Sequence, residues 1–201
     1  MADEPVTQPR RLLRRDERRA QLIGAAATAF VRAGYAGTSL ADVAAEAGVT
    51  KVVIYRHFES KRDLYLAVLL DVRARIRERL FDSDRHSSDS VRQLAVAASE
   101  NPDGYRLLYR HARHEPEFAD IVAEIDLSTT ELTESRLREL IPDTRRRVWI
   151  AALIPTVLIE SVLTWLDANQ PVSPEGLADT IDPVLRQLAD AGKTYAAPEG
   201  C

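Results

Sequence analysis

Apolar residues recur at helical spacing through almost the whole 201-residue chain, and this periodicity constrains the fold most strongly. Leu64, Val68, Val72, Ile76 and Leu80, for example, each follow the previous one by four residues. No segment alternates apolar and polar residues between turn residues over the length of a strand. The sequence therefore predicts an all-α fold with about nine helices.

Length and composition limit the number of domains and the compartment. A chain of 201 residues with 45 % hydrophobic content has room for one small module and one larger domain. It contains no run of about 18 apolar residues, and residues 1–11 lack the pattern of a secretory signal. We therefore predict a cytoplasmic protein without a membrane span. The single cysteine, Cys201, excludes disulfides and cysteine-zinc modules within one chain.

Positive charge is concentrated near the N-terminus, although the whole chain has a formal net charge of −4. Between residues 10 and 62 there are eleven Lys or Arg against five Asp or Glu, and the remainder is acidic. This asymmetry is typical of a module that approaches phosphates, attached to a body that does not.

The basic segment contains two short predicted helices joined by a glycine turn. Ser39 and Asp42 form a capping pattern at the start of the first helix, and Gly48 supplies a left-handed residue after it. Thr50 is predicted to cap the second helix. Such a pair suits DNA, because the first helix braces the second while the second lies in the major groove.

Residues 34–69 read GYAGTSLADVAAEAGVTKVVIYRHFESKRDLYLAVL, which closely resembles the N-terminal signature of the tetracycline-repressor (TetR) family. The small-residue turn, the aromatic segment 55–58 and the Ser60-Lys61 helix start occur in the family's order without gaps. Beyond about residue 80 the likeness extends only to helix number and length. The resemblance implies a TetR-like fold, with a three-helix DNA-binding domain at 12–60 and a helical ligand-binding and dimerisation domain at 61–194. Helix 61–80 would connect the two.

The resemblance also implies the residues that contact DNA, beginning with a recognition helix that starts near Thr50. Lys51 and Arg56 are expected to donate hydrogen bonds to guanine, and Val52 or Val53 to touch a thymine methyl group. Phosphate contacts are expected from the following side chains: Thr38, Ser39, Tyr55, His57 and Lys61.

Four arginines precede the first helix: Arg10, Arg11, Arg14 and Arg15. They would either enter a neighbouring minor groove or form a solvated basic tail. The alternative for the whole segment is an ordinary three-helix bundle with an accidental glycine turn. That alternative explains neither the local positive charge nor the cations beside Tyr55 and His57.

One helix-turn-helix contacts few base pairs, so specific binding to double-stranded operator DNA predicts a homodimer. The resemblance implies that the last two long helices, 143–167 and 174–191, form the interface. Their apolar residues exceed what one face can bury within the subunit. The alternative is that all of them belong to the subunit's own core.

The larger domain is expected to hold a small-molecule effector. An apolar and partly aromatic lining would suit a hydrophobic or amphipathic compound, although most of these residues are expected simply to belong to the core. The candidates are Leu107, Leu108, His111, Phe118, Ile121, Ile125, Trp149, Leu153 and Trp165.

No catalytic motif is apparent, since a glycine-rich phosphate loop and a Gly-x-Ser-x-Gly elbow are both missing. His111 and His114 have a spacing that could hold a metal, but the signal is weak and surface histidines explain it better. The sequence therefore predicts no enzyme, cofactor or metal. The predicted function is a ligand-responsive repressor that its effector releases from a palindromic operator. Activation, and DNA binding without an effector, remain alternatives, and the rival function is an enzyme or metal-binding helical protein that uses His111 and His114.

Overall fold

The computed structural model describes residues 14–81 and 89–193, and within these ranges it contains helices and no strands. This confirms the all-α prediction. The sequence also predicts a loop between residues 81 and 90 and disorder over residues 1–11, and these segments fall mostly or wholly outside the described residues. In chain order the α-helices are α1 (Arg15–Gly37), α2 (Leu40–Glu46), α3 (Lys51–Tyr55), α4 (Lys61–Phe81), α5 (Ser90–Glu100), α6 (Pro102–Arg106), α7 (Ala119–Leu137), α8 (Thr144–Asp167) and α9 (Pro174–Lys193). A π-helical turn (Leu107–His111) and a 3-10 turn (Ala112–His114) follow α6.

Helix α1 is interrupted at Gly34, where the sequence predicts its end. Gly34 has φ of 71°, a left-handed conformation that disfavours residues with a side chain. The chain then makes a short further turn, in which the Thr38 amide donates to the Tyr35 carbonyl at 3.4 Å. Gly34 thus redirects the chain from α1 towards α2.

One continuous hydrophobic core crosses the predicted domain boundary at residues 60 and 61. It includes Phe30 of α1, Leu64 of α4, Leu94 of α5 and Leu163 of α8. A second, smaller cluster lies between the end of α7 and the start of α8. The division at residue 60 remains a prediction, because buried side chains are shared across it.

Aromatic side chains join the N-terminal helices to the segment before α7. The Phe118 ring lies 4.3 Å from that of Tyr65 and 5.0 Å from that of Tyr35, measured between centroids. The contact is reinforced at the surface, since the Arg62 guanidinium pairs with Glu117 at 2.9 Å. The Tyr35 amide also donates to a Glu115 carboxylate oxygen at 3.3 Å. We call this group of six residues the junction cluster.

Helix α8 is long and apolar, with a mean hydropathy of 1.8 in its most apolar window, and about a third of that window is buried. By length and composition alone it is the one helix among the described residues that could cross a membrane. It packs along α7 and α9, and the Asp143 side chain caps its start by accepting from the Arg146 amide at 2.8 Å. Its outer face leaves Val148 45 % and Trp149 60 % exposed.

Candidate DNA-binding surface and internal cavity

The turn between α2 and α3 forms as its sequence predicts. Gly48 has φ of 63°, which lets the chain reverse after α2 without steric strain. The Val49 amide donates to the Ala44 carbonyl at 2.9 Å and closes the end of α2. Helix α1 braces this turn, because the Gln21 side-chain amide donates to the Ala47 carbonyl at 3.0 Å.

A reciprocal capping box fixes the start of α2. The Ser39 hydroxyl oxygen accepts from the Ala41 and Asp42 amides, and Asp42 accepts from the Ser39 amide at 2.8 Å. Hydrogen bonds from the Ser39 hydroxyl and amide lower the pKa of the Asp42 carboxyl. This confirms the predicted cap. Ser39 is exposed, although its hydroxyl is already engaged with Asp42.

Helix α3 directs most of its side chains outward. Ile54 is fully buried and anchors the helix, whereas Val52 is 60 % and Tyr55 58 % exposed. Lys51 and Arg56 are also exposed. Two aromatic or apolar side chains are therefore interleaved with two cations on one short helix, an arrangement that suits a polyanion with apolar groups in its groove.

Three further residues predicted to contact DNA lie at the edges of this surface. Val53 and His57 are half-buried, and Thr50 is exposed. Thr50 occupies the N-cap position of α3, but its side chain accepts no capping hydrogen bond, so the predicted cap was wrong. Burial lowers the pKa of His57, and the nearby cations Arg15, Arg19 and Arg18 lower it further.

Thr38 does not fit its predicted phosphate contact. Its side chain is 2 % exposed, and its hydroxyl lies 2.7 Å from the Gly34 carbonyl and 3.2 Å from the Ala29 carbonyl. The hydroxyl is therefore committed to the end of α1 and is not presented at the surface.

Lys61 is also engaged within the protein. Its ammonium donates to the Tyr35 carbonyl at 2.8 Å and to the Thr38 carbonyl at 3.1 Å, and it lies 4.4 Å from the centre of the Tyr35 ring. Two of its three N–H groups thus stabilise the connection between α1 and α2. The third N–H group could still donate to a phosphate, and this contact remains a prediction.

The structure describes two of the four N-terminal arginines. Arg10 and Arg11 lie outside the described residues. Arg14 and Arg15 are exposed at the start of α1, where Arg14 is the N-cap residue and Arg15 is the first residue of the helix. Entry into a minor groove remains a prediction for all four.

An internal cavity of about 320 Å³ lies between α4, the π-helical turn, α5, α7 and α8. Its wall is mostly apolar, but Arg73 and Arg77 of α4 and the hydroxyl groups of Ser128 and Thr129 also line it. The remaining lining residues are Ile76, Leu80, Leu94, Tyr109, Ile125, Leu132, Pro155, Leu158 and Ile159. The volume and composition are those of a site for a small amphipathic molecule.

The predicted effector residues do not line this cavity, with the exception of Ile125. Leu107, Leu108 and Phe118 are fully buried in the core, where neighbouring side chains occupy the space around them. Trp165 is also buried, and its indole N–H donates to the Val172 carbonyl at 2.9 Å. The other predicted residues are half-buried or exposed at places away from the cavity wall: His111, Ile121, Leu153 and Trp149.

Sequence reasoning missed Arg73, Arg77 and Tyr109. A signal was present, because residues 73, 76, 77 and 80 follow the spacing of one helix face and place two cations within an apolar stripe. His111 and His114 form no metal site in this structure: among residues 14–81 and 89–193 there is no group of three potential metal ligands.

The comparisons with known proteins agree with this architecture. Residues 22–68 match the family model described as bacterial regulatory proteins, tetR family. The chain is 30 % identical to the HTH-type transcriptional activator FasR of Mycolicibacterium smegmatis over 179 residues, which cover 83 % of this chain and 80 % of that protein. The chain belongs to the tetR family of bacterial regulatory proteins.

Two solved structures show how far the TetR-family fold extends along the chain. A TetR-like transcriptional regulator from Rhodococcus sp. RHA1 superposes with a TM-score of 0.69 at 22 % identity, covering 90 % of this chain and 98 % of that one. FadR from Bacillus subtilis, solved in complex with stearoyl-CoA, has a TM-score of 0.64 at 16 % identity, with 89 % and 99 % covered. The TetR-like fold therefore includes the cavity-bearing helices as well as the helix-turn-helix. This protein is a TetR-family transcriptional regulator.

Proposed function

We propose that this regulator binds a palindromic operator as a homodimer and that a small amphipathic effector in the internal cavity controls the binding. The observation that supports this most directly is α3, a braced helix that exposes Lys51, Val52, Tyr55 and Arg56. No packing requirement within the subunit accounts for these side chains, whereas a major groove would contact all four.

The contacts follow from the chemistry of each side chain. Lys51 and Arg56 donate to guanine O6 and N7, and Val52 packs against a thymine methyl group, with Val53 beside it. The Tyr55 hydroxyl, the His57 imidazole and the Ser39 and Thr50 hydroxyls are the proposed contacts to the phosphates that flank the helix. We omit the Thr38 hydroxyl from this surface because it is buried.

A second copy of the chain is the proposed partner of α8 and α9. Val148, Trp149 and Val184 are large apolar residues that stay exposed on these helices within one subunit. Burying them against the same helices of a second subunit removes this apolar surface from water. The dimer would place two copies of α3 in successive major grooves, about 34 to 36 Å apart.

The effector is proposed from the cavity wall, which is apolar with a few polar groups. The solved complex of Bacillus subtilis FadR contains stearoyl-CoA, an amphipathic molecule of this kind. We propose repression, with release from the operator when the effector binds, in the cytoplasm where DNA and metabolites are both accessible. Because FasR is named an activator, a promoter-reporter assay with and without the effector is needed to distinguish repression from activation.

DNA binding is tested by a gel shift with DNA selected from a random pool and with the upstream intergenic region. We expect Lys51→Ala/Arg56→Ala to weaken specific binding on the order of a hundredfold, because each base contact contributes about 1 to 3 kcal/mol. Arg75→Gln is the control, since Arg75 lies on α4 and pairs with Asp71 at 2.6 Å. Equal binding by the double variant and the wild type would remove α3 from the proposal. Zinc retention without any DNA shift would favour the rival metal-binding function.

A further inference from the structure

Arg73 differs from the other arginines of α4 whose partners are defined. Arg62 pairs with Glu117, Arg75 with Asp71 and Arg79 with Glu100. Arg73 is half-buried at the cavity wall, and within residues 14–81 and 89–193 no carboxylate lies within 4.0 Å of its guanidinium. Its hydrogen bond goes instead to a neutral group, the Ser128 hydroxyl oxygen at 3.3 Å.

The surroundings of Arg73 favour an anion. A guanidinium remains charged inside a protein, and a partly buried charge without a counter-ion costs free energy. Ser128 cannot neutralise it, because its hydroxyl is neutral and donates to the Ile125 carbonyl at 2.9 Å. Burial raises the pKa of Tyr109, Asp126 raises it further, and Arg73 opposes them, so Tyr109 remains a phenol and cannot serve as a counter-ion.

Asp126 of α7 directly follows the cavity-lining residue Ile125, but it pairs with a different arginine. Its carboxylate lies 3.8 Å from the Arg113 guanidinium, and burial raises its pKa. The aliphatic part of the cavity, including Leu132, Leu158 and Ile159, offers the adjoining space for a hydrocarbon chain. The cavity thus combines an apolar wall with one cation that lacks a carboxylate partner.

We infer that Arg73 determines the specificity of the cavity by binding the anionic group of a single-chain amphiphile. This inference rests on the proposed function, because it assigns the chemical class of the effector. Arg73 belongs to α4, which begins three residues after Phe58 at the end of the helix-turn-helix. An anion bound at Arg73 therefore acts on the helix that connects the cavity to the DNA-binding surface. A carboxylate and a phosphate share the required chemistry.

The test is titration calorimetry on the full chain with decanoate, decanoyl-CoA and 1-decanol, each below its aggregation concentration. We expect the wild type to bind at least one of the two anions about tenfold or more tightly than 1-decanol, because charge-assisted hydrogen bonds are the stronger class. Arg73→Gln should weaken binding of that anion by about tenfold or more and change 1-decanol binding by less than about threefold. Arg73→Lys should restore part of the affinity, since it keeps the charge but loses the bidentate geometry.

Arg75→Gln is the matched control, because Arg75 lies two residues away on the same helix and pairs outside the cavity. It should bind all three probes as the wild type does. Preference for decanoate would identify a carboxylate as the anion, and preference for decanoyl-CoA alone would identify a phosphate. The inference is overturned if 1-decanol binds as tightly as both anions, if Arg73→Gln weakens all probes equally, or if no probe binds.

Failure of this inference is distinguishable from failure of the proposed function. If the wild type shifts DNA in an Arg56-dependent manner but shows no anion preference, the DNA-binding proposal stands and the role of Arg73 is wrong. If the anion preference depends on Arg73 but no DNA is bound, the cavity assignment stands and the operator proposal is wrong.

Discussion

Helices α3 and α8 both expose large apolar side chains, but they differ in whether charged residues stand beside those side chains. On α3, Val52 and Tyr55 lie between two exposed cations, Lys51 at the start of the helix and Arg56 directly after its end. On α8, no charged residue occurs from Val148 to Leu158, and Trp149 within this stretch is 60 % exposed. Exposed apolar surface alone therefore does not identify a partner. The charges interleaved with it distinguish a DNA-binding face from a face suited to a second subunit.

The two regions also differ in how they are stabilised. The α2–α3 unit depends on local devices, namely the capping box at Ser39 and the left-handed Gly48. The cavity-bearing region depends on long-range packing among α4, α5, α7, α8 and α9. The junction cluster, with Phe118 against Tyr35 and Tyr65, is where one region supports the other.

The largest expected effect is on this junction. Phe118→Ala should lower the free energy of unfolding by about 3 to 5 kcal/mol, because a fully buried aromatic ring is removed between two others. Urea denaturation followed by circular dichroism measures the change. Leu127→Ala on α7 is the control, since Leu127 is 59 % exposed and its loss should change stability by less than about 0.5 kcal/mol. A loss below about 1 kcal/mol in Phe118→Ala would mean that the two regions are stabilised independently.

A second prediction concerns Lys61, which lies between the two regions. Lys61→Met should lower the free energy of unfolding by about 1.5 kcal/mol, because two carbonyls lose a charged donor. It should leave the salt dependence of DNA binding nearly unchanged, because the Lys61 ammonium is engaged with these carbonyls. Each phosphate contact contributes about one unit to the slope of log affinity against log salt.

Fluorescence anisotropy at several salt concentrations measures the slopes of the wild type and of Lys61→Met. If Lys61→Met flattens the slope by about one unit, Lys61 contacts a phosphate in the complex as the family resemblance implies. Its hydrogen bonds to the Tyr35 and Thr38 carbonyls would then matter less for DNA binding than its phosphate contact.

The difference between the regions also determines what the sequence could predict. Ser39, Asp42 and Gly48 were predictable because a capping box and a left-handed turn depend on a few adjacent residues. The cap at Thr50 was wrong, since the residue type permits a capping hydrogen bond but does not fix the side-chain conformation.

The cavity was not predictable in the same way. Periodicity shows that α8 is apolar, but it does not show which apolar residues face inward. Trp149 was therefore assigned to the cavity although it points outward, and Pro155 and Leu158 were overlooked. The spacing of residues 73, 76, 77 and 80 places Arg73 on one face of α4, but it does not show that α5 and the π-helical turn pack beside α4 and leave a cavity at that face.

The smallest expected effect concerns His57 at the edge of the α3 surface. Burial and the cations of α1 lower its pKa, so the imidazole is mostly neutral near pH 7 in the free protein. A neighbouring phosphate would favour the charged form and raise the pKa in the complex. Proton binding would then accompany DNA binding, and operator affinity should rise severalfold between pH 8 and pH 6. His57→Gln should lose this rise, whereas His114→Gln, which changes an exposed histidine in the other region, should keep it. Anisotropy titrations at constant ionic strength measure the profiles, and parallel curves for wild type and His57→Gln would place His57 away from the phosphates.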